Sequence, residues 1–343
     1  MNAPHRLALD GAALAANWQA LARLSGTAAC GAAVKADGYG LGASDVVARL
    51  QAAGCRDFFV STWNEAAALA GSGATLSVLH GVRAPDMKAA RALPLARPVL
   101  STPAQVARWR DAGGGACDVM VDTGMNRLGV SSDNIADGLL DGLAIDTLMS
   151  HLACADEASA MNERQRARFA GLRERTRARR MSLANSAGIT LGSDYHFDLT
   201  RPGLAIYGGL PTNALAAAIR PVVRIEAEVL QRRLVRAGES VGYNATWVAP
   251  ADTQVAIVNL GYADGYPRGF SDTGRAFAAG EALPVIGRVS MDLVALDVTA
   301  HDVAEGDWIA FDPDLPRAAA ASGMSQYELL TGLGTRFDRA WRD

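Results

Sequence analysis

The sequence predicts an α/β fold in which an N-terminal (β/α)8 barrel of the TIM type precedes a smaller C-terminal β-rich domain. Short apolar strands and helix-length segments alternate from residue 6 to about residue 200, which indicates a parallel sheet. After Pro221 the apolar residues alternate with period two, which is typical of antiparallel strands. The length of 343 residues suits two domains. We therefore expect domains at 1–222 and 223–343, with residues 1–10 as a segment that could pack with the second domain.

The barrel elements follow from apolar spacing taken in chain order. Residues 6–10 are an expected strand, and Gly11–Leu24 is an expected helix because Leu14, Trp18, Leu21 and Leu24 share one helical face. Further strands are expected at 32–34, around Phe58 and Val78, at 97–100, Asp118–Val121 and Leu148–His151, near Leu183, and at His196–Leu199. Helices are expected at Ser44–Ala53, Asn64–Ala70, Pro85–Ala92 and Pro103–Asp111, and one long charged helix, or two, within Ala155–Met181.

The second domain shows the turn chemistry of an antiparallel sheet. Period-two segments start at Val222 and recur at Thr253–Leu260, Leu283–Val289 and Leu293–Val298. Gly-Glu pairs at 238–239 and 280–281 and Gly-Asp at 306–307 mark turns. One late helix is expected near Gln326–Leu333.

Composition excludes several classes of function. Half of the residues are hydrophobic, 20% are charged and the formal net charge is −3, so no charge excess favours nucleic acid or an anionic membrane. No apolar run reaches membrane-spanning length and no signal peptide is recognisable, so we expect a cytoplasmic protein. The four separated cysteines fit reduced thiols, and no histidine spacing predicts a metal site. His196, between Asp194 and Asp198, is interpreted as a buried or capping histidine.

The strongest candidate for chemistry is Lys35, at the end of an apolar strand. The following turn carries Asp37, Tyr39 and several glycines, and partial desolvation would lower the pKa of the amine, as a Schiff-base lysine requires. Other polar residues stand at expected strand ends in both halves. Taken singly, each is more often a loop cation or a packing residue. They are Arg127, His151, Asn185, Ser186, Arg201, Tyr243, Tyr262, Met291 and Asp292.

The order and context of these residues resemble one enzyme family. The segments A-V-K-A-D-G-Y-G (33–40), R-L-G (127–129), R-P-G-L-A-I-Y-G (201–208), Y-N-A-T-W (243–247) and G-Y-A-D-G-Y (261–266) together resemble the alanine racemases over nearly the whole chain. The resemblance implies a barrel plus a β-domain, pyridoxal 5'-phosphate (PLP) as cofactor, and interconversion of L-alanine and D-alanine.

The resemblance also implies residue roles. Lys35 would carry the cofactor and serve as base for the D-enantiomer, while Tyr243 would be the opposing base for the L-enantiomer. Tyr243 would enter the site from a second subunit, so a homodimer with shared sites is implied. Arg201 would face the cofactor's ring nitrogen, and because a guanidinium does not readily give up a proton, this choice favours racemisation. Cofactor contacts would come from Tyr39, Arg127, His151, Asn185, Ser186, Arg201, Gly203, Leu204 and Tyr327. Substrate contacts would come from Arg127 and Met291, and the entrance from Asp156, Tyr262, Arg268, Arg288 and Asp292.

Two departures from the family pattern stand out. Met120 occupies the position where many members carry a carbamylated lysine that orients the arginine equivalent to Arg127. The segment R-F-D-R (336–339) replaces the usual R-V-P-R and is expected to matter little. Three alternatives remain: a PLP-dependent racemase of another small amino acid such as serine, a decarboxylase or dehydratase of the same fold, and a non-catalytic PLP-binding protein. A biosynthetic and a catabolic role for D-alanine fit the residues equally.

Overall fold

The computed structural model describes residues 3–342, which form two compact units. The barrel unit comprises Leu14–Ile206 and Leu210–Ile219, and the sheet unit comprises residues 3–13, Tyr207–Gly209 and residues 220–342. Among these residues, no helix has the length and apolar character that crossing a membrane requires. Cys30, Cys55, Cys117 and Cys154 are unpaired thiols.

The first part of the chain alternates short strands with helices. Strand β1 (His5–Asp10) lies in the sheet unit and leads into helix α1 (Gly11–Leu24). The following elements are β2 (Ala29–Cys30), β3 (Ala32–Ala33), α2 (Lys35–Tyr39), α3 (Ala43–Ala53), β4 (Asp57–Val60), α4 (Trp63–Ala68), β5 (Thr75–Val78), α5 (Met87–Ala92), β6 (Ala96–Leu100), α6 (Pro103–Asp111), β7 (Cys117–Met120), α7 (Ser132–Ala136), β8 (Ile145–Met149), α8 (Ala160–Ala170), β9 (Arg180–Ser182) and β10 (Leu199–Thr200).

Strands β2 to β10 form a closed parallel barrel. Strands β3 to β9 pair in sequence order, every pair parallel, and β10 pairs in parallel with β2. The backbone N–H of Gly31 donates to the Thr200 carbonyl oxygen at 2.9 Å, and the N–H of Arg201 donates to the Ala184 carbonyl oxygen at 2.8 Å. Strand β10 is therefore bonded on both sides and completes the ring. The predicted (β/α)8 barrel is confirmed.

Three predicted elements of the barrel are wrong in extent. The strand predicted at Leu148–His151 is β8 (Ile145–Met149), which ends before His151. The segment Ala155–Met181, predicted as one long charged helix or two, contains the helix α8 and a 3-10 turn at Arg173–Arg175. The backbone becomes extended at Thr176 (φ −134°, ψ 156°), and β9 begins at Arg180. The strand predicted at His196–Leu199 starts at Leu199, since Phe197 has a φ of 51°. His196 is buried and its Nε2 lies 2.9 Å from the Ile189 carbonyl oxygen, which confirms its interpretation as a core histidine.

The sheet unit is built from antiparallel strands with one parallel pair. It contains β11 (Val223–Val235), β12 (Ser240–Val241), β13 (Trp247–Val248), β14 (Thr253–Val258), β15 (Arg275–Ala278), β16 (Glu281–Ile286), β17 (Val294–Asp297), β18 (Trp308–Phe311), α9 (Leu315–Ser322), α10 (Gln326–Thr331) and β19 (Asp338–Arg342). The sheet order is β14-β17-β16-β15-β18-β11-β1-β19, and β11 also pairs with β14. The long strand β11 thereby closes six strands into a second ring, with β1 and β19 attached to it.

Candidate active site

The predicted barrel residues gather at the carboxyl ends of the strands. Lys35 follows β3, His151 follows β8, Ser186 follows β9 and Arg201 directly follows β10, and Arg127 lies in the loop after β7. Because β10 is bonded to both β9 and β2, the segments bearing Ser186, Arg201 and Lys35 are neighbours. The carboxyl ends of barrel strands are where barrel enzymes place their active sites. The barrel unit therefore has one candidate site with Lys35 at its rim.

Lys35 opens a turn of left-handed backbone. The Val34 N–H donates to the Phe59 carbonyl oxygen at 2.8 Å, which fixes the strand just before the lysine. Ala36, Asp37, Gly38 and Tyr39 then have φ values of 53°, 53°, 63° and 56°. Consecutive left-handed residues cost about 1–2 kcal/mol each outside glycine. Such strain is found where a site requires one backbone path.

The electrostatic surroundings of Lys35 lower the pKa of its amine. Burial makes the largest contribution and the positive charge of Arg127 adds to it, while the carboxylate of Glu65 acts in the opposite direction. Glu65 also accepts a hydrogen bond from the Ala36 N–H at 2.9 Å, so it lies directly under the turn. The sequence contains one other lysine, Lys88, which is exposed on α5. A covalent lysine chemistry in this chain therefore points to Lys35.

Arg201 is a buried cation without a carboxylate. Its guanidinium donates to the Ser182 hydroxyl and, at 2.6 Å, to the Ser150 carbonyl oxygen, and it forms no ion pair among residues 3–342. Burial lowers the pKa of Arg201 to about 10, partly offset by the charge of Asp118. The group stays protonated at neutral pH, and two neutral acceptors hold its orientation.

His151 is neutral at physiological pH. Burial lowers its pKa to about 3, and the positive charges of Arg201, Arg127 and Lys35 act in the same direction. The ring can therefore relay or share a proton with a neighbouring group without becoming a cation.

Close hydrogen bonds and packing surround Gly203. The Ser186 hydroxyl accepts hydrogen bonds from the N–H groups of Gly203 (2.9 Å) and Ala205 (3.3 Å). A Cβ at Gly203 would collide with the Tyr39 hydroxyl, so only glycine allows this close approach. Leu204 is buried and starts the 3-10 turn that follows. The Asn185 side chain stabilises the turn after β9, because its Oδ1 accepts a hydrogen bond from the Gly188 N–H at 2.8 Å.

The Arg127 loop is shaped by a carboxylate, although the arginine itself is exposed. Asp122 Oδ1 accepts from the N–H groups of Gly124 (2.8 Å) and Asn126 (3.1 Å), and Asn126 has a φ of 57°. Arg127 has no ion pair within the described chain, and Met120, the last residue of β7, offers a thioether in place of a charge. Asp156, predicted at the entrance, is exposed in the loop after β8.

The sheet unit carries the remaining predicted residues. Tyr243 is 64% exposed in the β12–β13 turn, where Asn244 and Ala245 have φ values of 64° and 49°. The guanidinium of Arg268 stacks on the Tyr262 ring at 5.2 Å. Four others are exposed or half-buried: Arg288, Met291, Asp292 and Tyr327.

An ion-pair network that the sequence did not reveal fixes the Tyr262 turn. Buried Asp264 accepts from the Gly261 N–H (3.0 Å) and from Arg336 Nε (2.7 Å), and Arg336 Nη1 also donates to Asp292 (2.8 Å). The arginine that opens R-F-D-R thus holds Asp292, which was predicted at the entrance. The two departing positions are Phe337, which packs edge-on against His5 at 4.9 Å, and Asp338. The sequence alone gave no signal that these distant residues meet.

The fold and the site together define a class. The parallel barrel is closed, and its carboxyl end carries a half-buried lysine, a buried guanidinium and a half-buried neutral histidine. Together with the antiparallel sheet that follows in the chain, this is an arrangement of two-domain barrel enzymes.

Comparison with known proteins identifies the family. Residues 9–211 match the family model "Alanine racemase, N-terminal domain" and residues 222–341 match "Alanine racemase, C-terminal domain". The chain is 45% identical to the alanine racemase of Acidiphilium cryptum over 99% of both chains, and 43% identical to that of Methylobacterium nodulans over 97% and 95%. The crystal structure of Bartonella henselae alanine racemase with covalently bound pyridoxal phosphate superposes with a TM-score of 0.92 at 32% identity, covering 99% of this chain and all of that one. The protein belongs to the alanine racemase family.

Proposed function

We propose that the protein is a PLP-dependent alanine racemase, with Lys35 and Tyr243 as its two bases. The observation that carries the reaction type is the buried Arg201, which donates only to neutral acceptors and has no carboxylate partner in the described chain. A guanidinium opposite a pyridine nitrogen leaves that nitrogen unprotonated, which limits electron withdrawal and favours simple proton exchange over transamination or decarboxylation.

The residues present fit PLP. Lys35 supplies the amine, and the hydroxyls of Ser186 and Tyr39 supply hydrogen-bond donors for a phosphate beside Gly203. Because Ser186 Oγ accepts from the Gly203 and Ala205 N–H groups, its own proton is left for the phosphate. Asn185 and Tyr327 are assigned to the same cofactor, as is Leu204 through its backbone. When bound, PLP withdraws electrons from the substrate's Cα and acidifies the proton there.

Each base needs a pKa that suits its step. The lowered pKa of Lys35 lets a larger fraction of its amine be free at neutral pH, as a base for D-alanine requires. A phenolate is stabilised by a nearby positive charge, and we assign Arg201, together with neutral His151, to that role for Tyr243 in the shared site.

The cations also explain substrate binding. Arg127 is free of internal ion pairs in the region that the structure describes, so its planar guanidinium can bind the substrate carboxylate in bidentate fashion. We assign the Met291 backbone to the same carboxylate. Asp156, Tyr262, Arg268, Arg288 and Asp292 are assigned to the entrance, whose narrowness would select small side chains.

The exposure of Tyr243 supports the proposal that the protein is a homodimer. Its side chain is largely exposed on a conformationally constrained turn, and a base must be shielded from bulk water to act efficiently. We assign it to the site of a second copy of the chain, in a homodimer with two shared sites.

The first test concerns cofactor attachment. Lys35→Ala protein, purified with PLP and treated with borohydride, should carry no covalent cofactor, whereas Lys88→Ala protein should be labelled like the wild type. Mass spectrometry of proteolytic peptides measures the label. Labelling of Lys88 in both the wild type and Lys35→Ala would overturn the assignment of Lys35.

The second test separates the two bases. Because L- and D-alanine have equal energy, a racemase must lose net turnover equally in both directions, so the informative measurement is solvent-deuterium exchange into each enantiomer. Tyr243→Phe should slow exchange into L-alanine by about 100-fold or more, while D-alanine still exchanges through Lys35. Tyr195→Phe, on the outside of the barrel, is the control. Equal losses for both enantiomers would sink the two-base assignment.

A further inference from the structure

Helix α8 has a buried polar stripe beneath the site. Asn162 and Gln165 are three residues apart and almost fully buried, with Phe169 a further turn along. Buried amides are unfavourable unless their hydrogen bonds are satisfied. Asn162 Nδ2 donates to the carbonyl oxygens of Cys154 (2.8 Å) and Glu157 (3.1 Å) in the loop that carries Asp156.

Gln165 contacts two loops of the candidate site at once. Its Nε2 donates to the His151 carbonyl oxygen at 2.8 Å and to the Thr123 hydroxyl at 3.3 Å, and its Oε1 accepts from the Ala153 N–H at 2.9 Å. The loop after β8, which bears His151, is thereby joined to the loop after β7, which bears Arg127.

The hydrogen bonds continue from Gln165 to the segment that holds Arg201. The hydroxyls of Thr123 and Ser150 lie 2.8 Å apart, and Ser150 Oγ donates to the Val121 carbonyl oxygen at 2.8 Å. Since the Ser150 proton is used on Val121, Thr123 must donate to Ser150 and accept from Gln165. The Ser150 carbonyl oxygen in turn accepts from Arg201. Hydrogen bonds from Gln165 to Thr123 and from Thr123 to Ser150 therefore connect helix α8 to the segments that hold His151, Arg127 and Arg201.

We propose that Gln165 is a positioning residue that holds His151 and the Arg127 loop in register for catalysis. The assignment rests on the proposed racemase function for its kinetic consequence. An amide is required here because the position needs two donors and one acceptor on one planar group. A carboxylate would place an oxygen against the His151 carbonyl oxygen, and a thioether would remove the partners of the His151 carbonyl oxygen and the Ala153 N–H.

The chain contains a matched control for this geometry. Gln105 on α6 accepts from the Ser101 N–H at 2.8 Å and donates to the His80 carbonyl oxygen at 3.2 Å. It thus joins the loops after β6 and β5 in the same manner, but neither loop carries a residue assigned to cofactor or substrate. Replacing Gln105 removes the same kind of contact without touching the candidate site.

The experiment compares Gln165→Met and Gln165→Glu with Gln105→Met and Gln105→Glu. We expect kcat for racemisation to fall by about 10- to 100-fold in the Gln165 variants and KM to rise, because the displaced loop carries Arg127, which is assigned to the substrate carboxylate. Both kcat and KM should stay within about twofold in the Gln105 variants. Thermal unfolding should shift more in the Gln165 variants, because Gln165 is fully buried whereas Gln105 is half-buried. A kcat within twofold of wild type in folded Gln165→Met would overturn the proposal.

A second measurement does not depend on turnover. Hydrogen–deuterium exchange in the cofactor-free protein should rise in Gln165→Met across both 121–127 and 150–155, and in Gln105→Met only around 80 and 101. Faster exchange confined to 150–155 would show that Gln165 does not join the two loops. If wild-type protein fails to racemise alanine, the proposed function falls while this exchange result still decides the role of Gln165.

Discussion

At the scale of single residues, the charge state of Lys35 is set by neighbours that oppose each other. Burial and Arg127 lower its pKa, whereas Glu65 raises it. Glu65 accepts from Ala36 N–H and, through Oε2, from the N–H groups of Ser61 (2.6 Å) and Thr62 (3.2 Å). It therefore has both a capping role in α4 and an electrostatic effect on the amine.

Glu65→Gln should lower the pKa of Lys35 further, because the one opposing charge is lost while the side-chain shape is kept. In cofactor-free protein, labelling of Lys35 by acetic anhydride should become roughly two- to tenfold faster near neutral pH, with its pH midpoint displaced downward. The labelled peptide is quantified by mass spectrometry, with Lys88 as internal reference. Glu174→Gln, on the outside of the barrel, is the control. An upward displacement would contradict the electrostatic role of Glu65.

Individual residues were predictable where a short motif carries them. Lys35, Tyr39 and Arg201 lie within recognisable segments, and the structure places them at neighbouring strand ends. Glu65, Arg336 and Gln165 lie outside such segments. Their roles come from contacts with residues 29, 72 and 42 positions away in the chain (Ala36, Asp264 and Thr123), which no local pattern encodes. A sequence shows that such a residue is polar, but only the fold shows what it contacts.

At the scale of elements, the left-handed turn after Lys35 was the feature that the sequence described least well. Its glycines predicted a loop with room for a cofactor. Three of the four left-handed residues are not glycine, and Asp37 Oδ1 accepts from the Ala43 N–H at 2.8 Å to close the turn onto α3. Helix α8 was also described poorly by the sequence. Its charged residues predicted a longer helix, and nothing in the pattern distinguished the two buried amides, Asn162 and Gln165, from the exposed polar residues around them.

Ala36→Gly should stabilise the protein. Glycine adopts the left-handed backbone without strain, so we expect the free energy of unfolding of the barrel to rise by about 0.5–1 kcal/mol, net of the added chain entropy. Chemical denaturation monitored by tryptophan fluorescence measures this change. Ala167→Gly, on the exposed face of right-handed α8, should instead lower it by about 1 kcal/mol. Destabilisation by both variants would show that the turn is not strained.

At the scale of the whole molecule, the candidate site lies at the carboxyl ends of the barrel strands, and a network of ion pairs lies at their amino ends. The carboxylate of Asp146 forms ion pairs with Arg97 (3.0 Å), Arg179 (2.9 Å) and Arg180 (2.8 Å). Arg180 also forms an ion pair with Asp57 at 2.7 Å. These residues lie at or near the amino ends of their strands, opposite the candidate site. Burial would raise the pKa of Asp146, but the three arginines outweigh it and hold the pKa below its ordinary value.

Asp146→Asn should therefore destabilise the barrel in a pH-dependent manner. A carboxylate whose pKa is depressed by folding stabilises the native state above its unfolded pKa of about 3.9, and this contribution is lost as pH falls through the folded value. We expect a deficit of about 1–3 kcal/mol at pH 7 that shrinks below about pH 4. Thermal unfolding across this pH range measures it, with exposed Asp141→Asn as control. A deficit that stays constant with pH would exclude the ionic contribution.

The two-unit architecture makes the proposed sharing of sites directly testable. If each site takes Lys35 from one chain and Tyr243 from the other, a heterodimer of Lys35→Ala and Tyr243→Phe chains has one site with both native residues and one with neither. Random exchange of equal amounts makes about half of the dimers mixed, so about a quarter of the wild-type sites should return. If both residues served the same chain, every site would lack one of them and mixing would restore nothing. Pairing Lys35→Ala with the double variant gives no complete site and is the control. Activity is measured after subunit exchange has been verified by native mass spectrometry, and a verified mixed dimer without recovered racemisation would place Tyr243 and Lys35 of one site on one chain.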